Sequence, residues 1–533
     1  MEKRSYHRLS AQDQSFLLME SPTTPMHVSS TQIFEAGSLR TPEGGIDVET
    51  YKKAVAAVLH LVPRYRQRLE WIPMENRAVW VDDPHFNLDY HIRHSALPRP
   101  GTEEQLKRLS ARIMAQQLDR SRPLWEIWVV EGLEGGRFAT VNKIHHCMID
   151  GLAGVDLAYS LFSTTPRYEI QEAPRYVPHT APAGLDLLRD SLRRRLRLPL
   201  EIIRGVRDFR RETESLRQDL AIRARAIADL IGTTAQAASE TPLNQPLGPH
   251  RRFDYLALPL AHFKAVSKAF ECTLNDVVLA TVAGAMREFL MARRVHPEDM
   301  EFRVAAPVSV RTKEERGGMG NRVSNWFIPL PIGEANPRQR LETIQKLTQK
   351  LKTSQQALGV QMMMAVAEWT PTVVLSTAMR GASAASNMIV TNVPGPQDTL
   401  YLLGAKLLYM FPGVPLLENQ GLGIALVSYA GTLCWGFNAD YELVPDLAKF
   451  VKLIERSFNE LAAVAGVDRT RAPREAAPPA VVALRSSTNG RHEKRKQKGA
   501  AQVKAAAKTR GRAAGDRHAA GPPKASADEK SRA

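Results

Sequence analysis

Apolar positions in the first part of the chain switch between two periods. Runs such as MHVSSTQIFE (26–35) and RAVWVDD (77–83) alternate like strands, whereas ETYKKAVAAVLHLVPRYRQRL (49–69) and TEEQLKRLSARIMAQQLD (102–119) repeat every three or four positions and predict helices. Residues 250–465 repeat that texture. FKAVSKAFECTLNDVVLATVAGAMREFLMAR (263–293) predicts two helices and their joint. FRVAAPVSV (302–310), NRVSNWFIPLPI (321–332), SNMIVTNVPGP (386–396) and GLGIALVSYAGTLCWGFNAD (421–440) predict strands and turns, the last a hairpin about Ala430 and Gly431. The pattern divides the chain into an α/β unit over 1–165, a linker over 166–249, a second α/β unit over 250–466 and a tail over 467–533. The two α/β units show no convincing residue-level repeat.

Composition agrees with two packed units: of 533 residues 44% are hydrophobic and 24% charged, which excludes wholesale disorder. The net charge of +16 would suggest a nucleic-acid binder until it is located. Residues 471–533 hold 16 Lys/Arg against 5 Asp/Glu, or +11, leaving +5 for the other 470. This tail lacks periodic apolar positions and interleaved aromatic residues, so it is expected to be disordered and not a specific nucleic-acid site. Residues 184–232 carry twelve Arg among Leu, Ile and Val. They read either as a solvated linker helix packed by its apolar face or as a basic amphipathic segment touching anionic lipid. Cys147, Cys272 and Cys434 offer neither a disulfide framework nor metal-type spacing, which fits a reducing compartment. The basic start is followed by no apolar signal region, and no run reaches the roughly 18 apolar residues of a spanning helix. A cytoplasmic protein with at most peripheral membrane contact is expected.

Candidate chemistry concentrates in FATVNKIHHCMIDG (138–151). Alternation through Val141 and Ile144 predicts a strand, and Asp150-Gly151 predicts a turn, so His145 and His146 stand where a strand ends. An imidazole is suited to taking a proton from a hydroxyl at neutral pH. Neighbours on a strand face opposite ways, so one of the pair serves any one cavity and the other is structural. Metal binding is disfavoured, because a two-histidine site wants its ligands about one helical turn apart and no Glu or Cys completes the set nearby. Cys147 is expected to be a small buried apolar residue and not a nucleophile.

The pattern HHxxxDG at His145, His146, Asp150 and Gly151 resembles the signature of the coenzyme A-dependent acyltransferase superfamily. Further segments resemble the bacterial wax ester synthase/diacylglycerol acyltransferase family: LSAQDQSFLLMESPTTPMHV (9–28), RYRQRL (64–69), FNLDYHIRHSALPRPG (86–101), RPLWE (122–126), NDVVLA (275–280), PVSVR (307–311), GNRVSNWF (320–327) and SNMIVTNVPGP (386–396). The similarity spans residues 9 to about 465. It implies two chloramphenicol-acetyltransferase-like α/β domains with an active-site channel between them. It also implies an enzyme moving a fatty acyl group from acyl-CoA to diacylglycerol or a long-chain alcohol, at a membrane or lipid-droplet surface and without metal or prosthetic group. The resemblance makes His146 the general base. Asp150 either partners His146 or, as the superfamily favours, pairs with an arginine, for which Arg311 is the candidate. Gly151 permits the turn after Asp150. Trp125, in the family's PLW segment, is either a wall for an acyl chain or core. Asn275 and Asp276 are expected to cap the helix that follows them, and the resemblance places Asn275 near the reaction centre. Gly317, Gly318 and Gly320, beside Arg311, Lys313, Arg316 and Arg322, are either a cradle for CoA phosphates or a solvated basic loop. A carrier-bound acyl donor and a catalytically silent coat protein of lipid droplets are the alternatives.

Overall fold

The computed structural model describes residues 6–148, 160–193, 238–309, 323–353 and 385–467. Three sheets organise them. A seven-stranded sheet runs in the order Ile92–Ala96, Trp125–Leu133, Arg137–His145, His27–Glu35, Ala405–Gly413, Tyr401–Leu402 and Phe162–Ser163. The strand that ends at His145 thus lies between two antiparallel neighbours. Its register places His27 opposite His145 and Trp125 opposite Ile144. Residues more than a hundred positions apart in sequence meet at that end of the sheet. The strands from 401–413 belong to the same sheet, so it is built from segments far apart in sequence.

The six-stranded sheet has the order Val323–Leu330, Phe302–Ser309, Met388–Pro394, Leu422–Tyr429, Thr432–Asp440 and Arg251–Pro259. Every residue of Leu422–Tyr429 is buried, as expected of an interior strand running parallel to a neighbour. Helices Leu260–Ala269, Leu274–Ala292 and Leu447–Val464 pack with this sheet around one apolar core that includes Val278, Phe289, Trp435, Phe437 and Phe458. The hairpin about Ala430 and Gly431 forms with both residues at positive φ (42° and 78°), the two-residue turn whose twist matches its strands. A Cβ at Gly431 would meet nothing within 4 Å, so conformation and not crowding favours glycine there.

Two elements differ from the periodicity. The helix expected over 49–69 stops at Val58; Pro63 opens a short 3₁₀ turn, and Gln67–Ile72 is a strand paired with Arg77–Asp82 in a three-stranded sheet. Pairing outweighs the helical spacing once proline has removed a backbone donor. The helix expected over 102–119 runs from Glu103 to Ala115 behind a Thr102/Gln105 capping box. Beyond its last turn Lys143, a buried residue of the histidine strand, donates to the carbonyls of Ile113 (3.1 Å) and Gln116 (3.1 Å). A cation at that end satisfies orphan acceptors and the helix dipole together.

Of the arginine-rich segment, residues 184–193 are described and helical. Leu187 anchors them in a small cluster with Ile72, Val79 and Val81, whereas Leu185 (79%) and Leu192 (51%) are exposed. The remainder of that segment and the basic tail lie outside the described residues.

Candidate active site

The two histidines separate at the strand end. His145 closes the strand and His146 opens a single 3₁₀ turn, His146–Met148. Their backbones are clamped from both sides: His145 N–H donates to Leu124 C=O (3.0 Å) and His146 N–H to Met26 C=O (2.8 Å). The PLW segment and the PMHV segment therefore meet on the histidine pair.

His145 points inward and is buried. Its Nδ1 accepts the Cys147 N–H (3.1 Å), so a neutral ring carries its proton on Nε2, which faces Glu20 Oε1 at 3.6 Å. Glu20, the residue after helix Ala11–Met19, also has His27 Nε2 at 3.2 Å from Oε1 and accepts Met26 N–H (3.3 Å). Arg120 donates to Oε2 through Nη2 (2.6 Å) and Nε (3.0 Å). Burial alone would raise the Glu20 carboxyl, but its interactions with the facing His145 and His27 rings prevail and hold it far below the usual carboxylate range. Burial likewise drives His27 down to about 4 against its bond to Glu20.

His146 takes the other direction. It is half-buried, and its ring stacks on Phe16 with centroids 3.8 Å apart and planes at 21°. Desolvation pushes it down to about 4, so the ring is a free base at neutral pH, weaker than an exposed imidazole yet almost wholly in the proton-accepting form. Among the described residues its Nδ1 has no hydrogen-bond partner. The Cys147 thiol is buried in the core and raised well above its ordinary value by burial, which keeps it protonated and unreactive.

Trp125 is 1% exposed; its indole N–H donates to Tyr65 C=O (2.8 Å) and its face stacks on His91 (4.5 Å, 15°) within the apolar core. Asn275 lies in the first turn of helix Leu274–Ala292 and is half-buried. The cap expected of Asn275 and Asp276 belongs instead to Thr273. Asp276 is the third residue of its capping box and accepts hydrogen bonds from the Thr273 N–H and hydroxyl and from the Thr348 hydroxyl (2.8, 2.7 and 2.7 Å). Asp150, Gly151, Arg311 and the 313–322 glycine loop lie outside the described residues, and with them the Asp150–Arg311 pairing. Among the described residues no three His, Cys, Asp or Glu side chains are grouped to hold a metal ion. Sequence reasoning missed Glu20, His27, Arg120 and Phe16; the signal available was a lone carboxylate closing an apolar stretch, FLLME (16–20), shortly before PMHV (25–28).

Comparison with known proteins places the chain in a family. A family model described as the wax ester synthase/diacylglycerol acyltransferase catalytic domain matches residues 9–278, and one described as the WS/DGAT C-terminal domain matches 319–462. A Mycobacterium tuberculosis H37Rv protein named "Probable diacyglycerol O-acyltransferase tgs1" is 32% identical over 470 residues, 86% of this chain and 96% of that one. A second protein of that strain, also named as such an acyltransferase, is 34% identical over 465 residues, 83% of this chain and 87% of its own length. The solved wax ester synthase/diacylglycerol acyltransferase of Marinobacter aquaeolei VT8 superposes with a TM-score of 0.60 at 26% identity, covering 86% of this chain and all of that one. A condensation domain of the calcium-dependent antibiotic synthetase, 16% identical, shares the fold with a TM-score of 0.55, covering 89% of this chain and 99% of its own.

Proposed function

This chain belongs to the wax ester synthase/diacylglycerol acyltransferase family and is an acyltransferase, and from that premise we propose that it moves a fatty acyl group from acyl-CoA to diacylglycerol, a long-chain alcohol or both, with His146 as general base. The observation that carries the assignment within the pair is the engagement of His145: one of its nitrogens accepts the Cys147 N–H and the other faces Glu20, whereas the half-buried His146 ring is neutral and its Nδ1 has no described hydrogen-bond partner. His146 takes the hydroxyl proton as the acceptor oxygen attacks the thioester carbonyl. The tetrahedral intermediate collapses with loss of the C–S bond, and the imidazolium returns the proton to the CoA thiolate. A thioester has a good leaving group, so one positioned base, contributing about 10² to 10⁴ in rate, serves without a covalent intermediate. Acyl-CoA is a co-substrate, and the scheme uses no metal or prosthetic group.

The acceptors and ester products are nearly insoluble, and no single described helix is long and apolar enough to cross a membrane. We place the reaction at a membrane or droplet surface met peripherally, a reading supported by exposed Leu185 and Leu192 beside Arg189 and Arg193 on helix 184–193. Labelled palmitoyl-CoA offered with dioleoylglycerol and with hexadecanol tests the proposal. Triacylglycerol or wax ester must accumulate, and transfer from a carrier-protein thioester alone would overturn the donor assignment.

A further inference from the structure

Glu20 has no part in the scheme above, yet it contacts several of the groups that frame the histidine pair. Its side chain is 1% exposed. Oε1 faces His145 Nε2 (3.6 Å) and accepts the N–H of Met26 (3.3 Å), the residue whose carbonyl receives the His146 N–H (2.8 Å). The Glu20 N–H itself donates to Phe16 C=O (3.2 Å), in the helical turn whose Phe16 ring lies flat on His146. Arg120 grips Oε2 and also donates to Leu17 C=O (3.0 Å), fixing the same turn.

We propose that Glu20 is a positioning residue for acyl transfer: its carboxylate sets the orientation of His145 and, through Met26 and Phe16, the place of His146, while Arg120 balances its charge. The inference rests on His146 being the base. A carboxylate suits the site because the Met26 N–H and the two Arg120 N–H groups all donate to it and the His145 Nε2 faces it. Cys147 N–H occupies His145 Nδ1, so the His145 proton sits on Nε2 and needs an acceptor, as do Met26 N–H and the Arg120 fork. A glutamine of the same size would turn an amide N–H₂ toward one of these donors. Because Arg120 neutralises Glu20 locally, its influence on His146 is geometric and not a field that strengthens the base.

The test compares wild type, Glu20→Gln, Glu20→Asp and His146→Ala with palmitoyl-CoA and dioleoylglycerol, each rate corrected for folded fraction by thermal unfolding. Glu20→Gln should lower kcat about 10- to 100-fold, the scale of an ångström-size misplacement, with both KM values nearly unchanged and the acid limb of the kcat–pH profile unmoved. Glu20→Asp keeps the acceptors and should recover part of the loss; it carries the test if Glu20→Gln does not fold. Independently of activity, nitrogen-15 spectra of labelled histidines should show His145, assigned by its absence from His145→Gln, with its proton on Nε2 in wild type and as a mixture of tautomers in Glu20→Gln. An unchanged kcat per folded molecule, an unchanged tautomer, or an acid limb displaced by the substitution overturns the role. If wild type forms no ester with any acceptor, the proposed function fails, and the tautomer comparison still decides whether Glu20 orients His145.

Discussion

The ends of the two large sheets use buried polarity in opposite ways. At the end of the seven-stranded sheet, Glu20, His27, Lys143 and His145 are all interior, and Glu20 and His27 are held away from their ordinary protonation behaviour by burial and by one another. Around the six-stranded sheet the interior is largely apolar, and several of its buried charges serve the backbone, as Lys143 does at the first sheet's end. Arg251 donates to the carbonyls of Gly248 (2.7 Å) and His250 (2.9 Å), Asp440 accepts from Gly248 N–H (2.8 Å), and Arg340 donates to Glu334 C=O (3.0 Å). Paired backbone groups fix a shape, whereas side chains that share one carboxylate fix protonation and orientation. On the proposed role of His146, reactivity belongs to the first sheet and scaffolding to the second.

The largest effect expected from breaking this division is at His146. His146→Ala should lower ester formation by about 10² or more, the contribution of a positioned general base, with the fold retained, since the ring is half-buried and accepts no described hydrogen bond. A variant keeping more than about a tenth of the wild-type rate would remove His146 from that role. His145→Ala should act differently, losing stability by about 1–3 kcal/mol in thermal or urea unfolding, because it leaves the buried Cys147 N–H without its acceptor.

A matching change in the scaffold should cost stability and not rate. Gly284 sits in helix Leu274–Ala292, where an added Cβ would collide with the Ser457 side chain and the buried Arg340 guanidinium. Gly284→Val is expected to destabilise by about 3 kcal/mol through overpacking, leaving kcat per folded molecule unchanged. A fall in kcat larger than the fall in folded fraction would place chemistry in the second core.

Acid sharpens the contrast further. Burial holds His27, His91 and His146 at about 4, against an ordinary value of 6.5. Between those values the unfolded chain takes up protons that the folded chain refuses, so stability must fall as pH drops from about 6.5 to about 4, by at most about 1.4 kcal/mol per pH unit for each group. Glu20 acts in the same direction: its depressed pKa contributes stability that is present above the ordinary carboxylate range and is lost as pH falls through its folded value. The melting temperature should therefore decline steadily from pH 7 to 5. His27→Gln together with His91→Gln should flatten the slope even if it lowers the curve, and an unchanged slope would mean these rings charge freely in the folded state.

Most of the scaffold was legible from period alone. Met26–Glu35 reads as a strand from its pattern, and in the other sheet Gly431 marks the hairpin between Leu422–Tyr429 and Thr432–Asp440 because glycine accepts the positive φ its turn requires. Gln67–Ile72 was misread because a short strand after a proline carries too few positions to erase a helical spacing begun at Val48. Of the site, the strand-end histidines were visible as a motif. Their supports were not, because His27 meets His145 through a cross-strand register set by the whole sheet, and Arg120 reaches Glu20 across a hundred residues of sequence. Local periodicity cannot encode either contact.

The smallest effect expected lies outside both sheets, on helix 184–193. Leu187 holds this helix to the body, so the outward turn of Leu185 and Leu192 is not a failure of packing but a second apolar direction, flanked by exposed Arg189 and Arg193. The helix lies against the neighbouring strand turn, where Gly184 approaches Pro73 and Ser191 bonds Glu75, and Met74 of that turn is 95% exposed. Each arginine near an anionic surface contributes about 1 kcal/mol, and salt screens it. Replacing Arg189 and Arg193 by Glu should therefore weaken sedimentation with anionic vesicles at low salt, and the difference from wild type should shrink as salt rises. Reversing Arg194, Arg195 and Arg197 as well should deepen the loss and lower activity on dioleoylglycerol more than on a short, soluble alcohol. Leu185→Ser with Leu192→Ser separates the two forces: it should weaken binding at every salt concentration, since burial of an apolar side chain is not screened. Vesicle binding unchanged in all three variants would make the segment a linker whose exposed leucines meet no lipid.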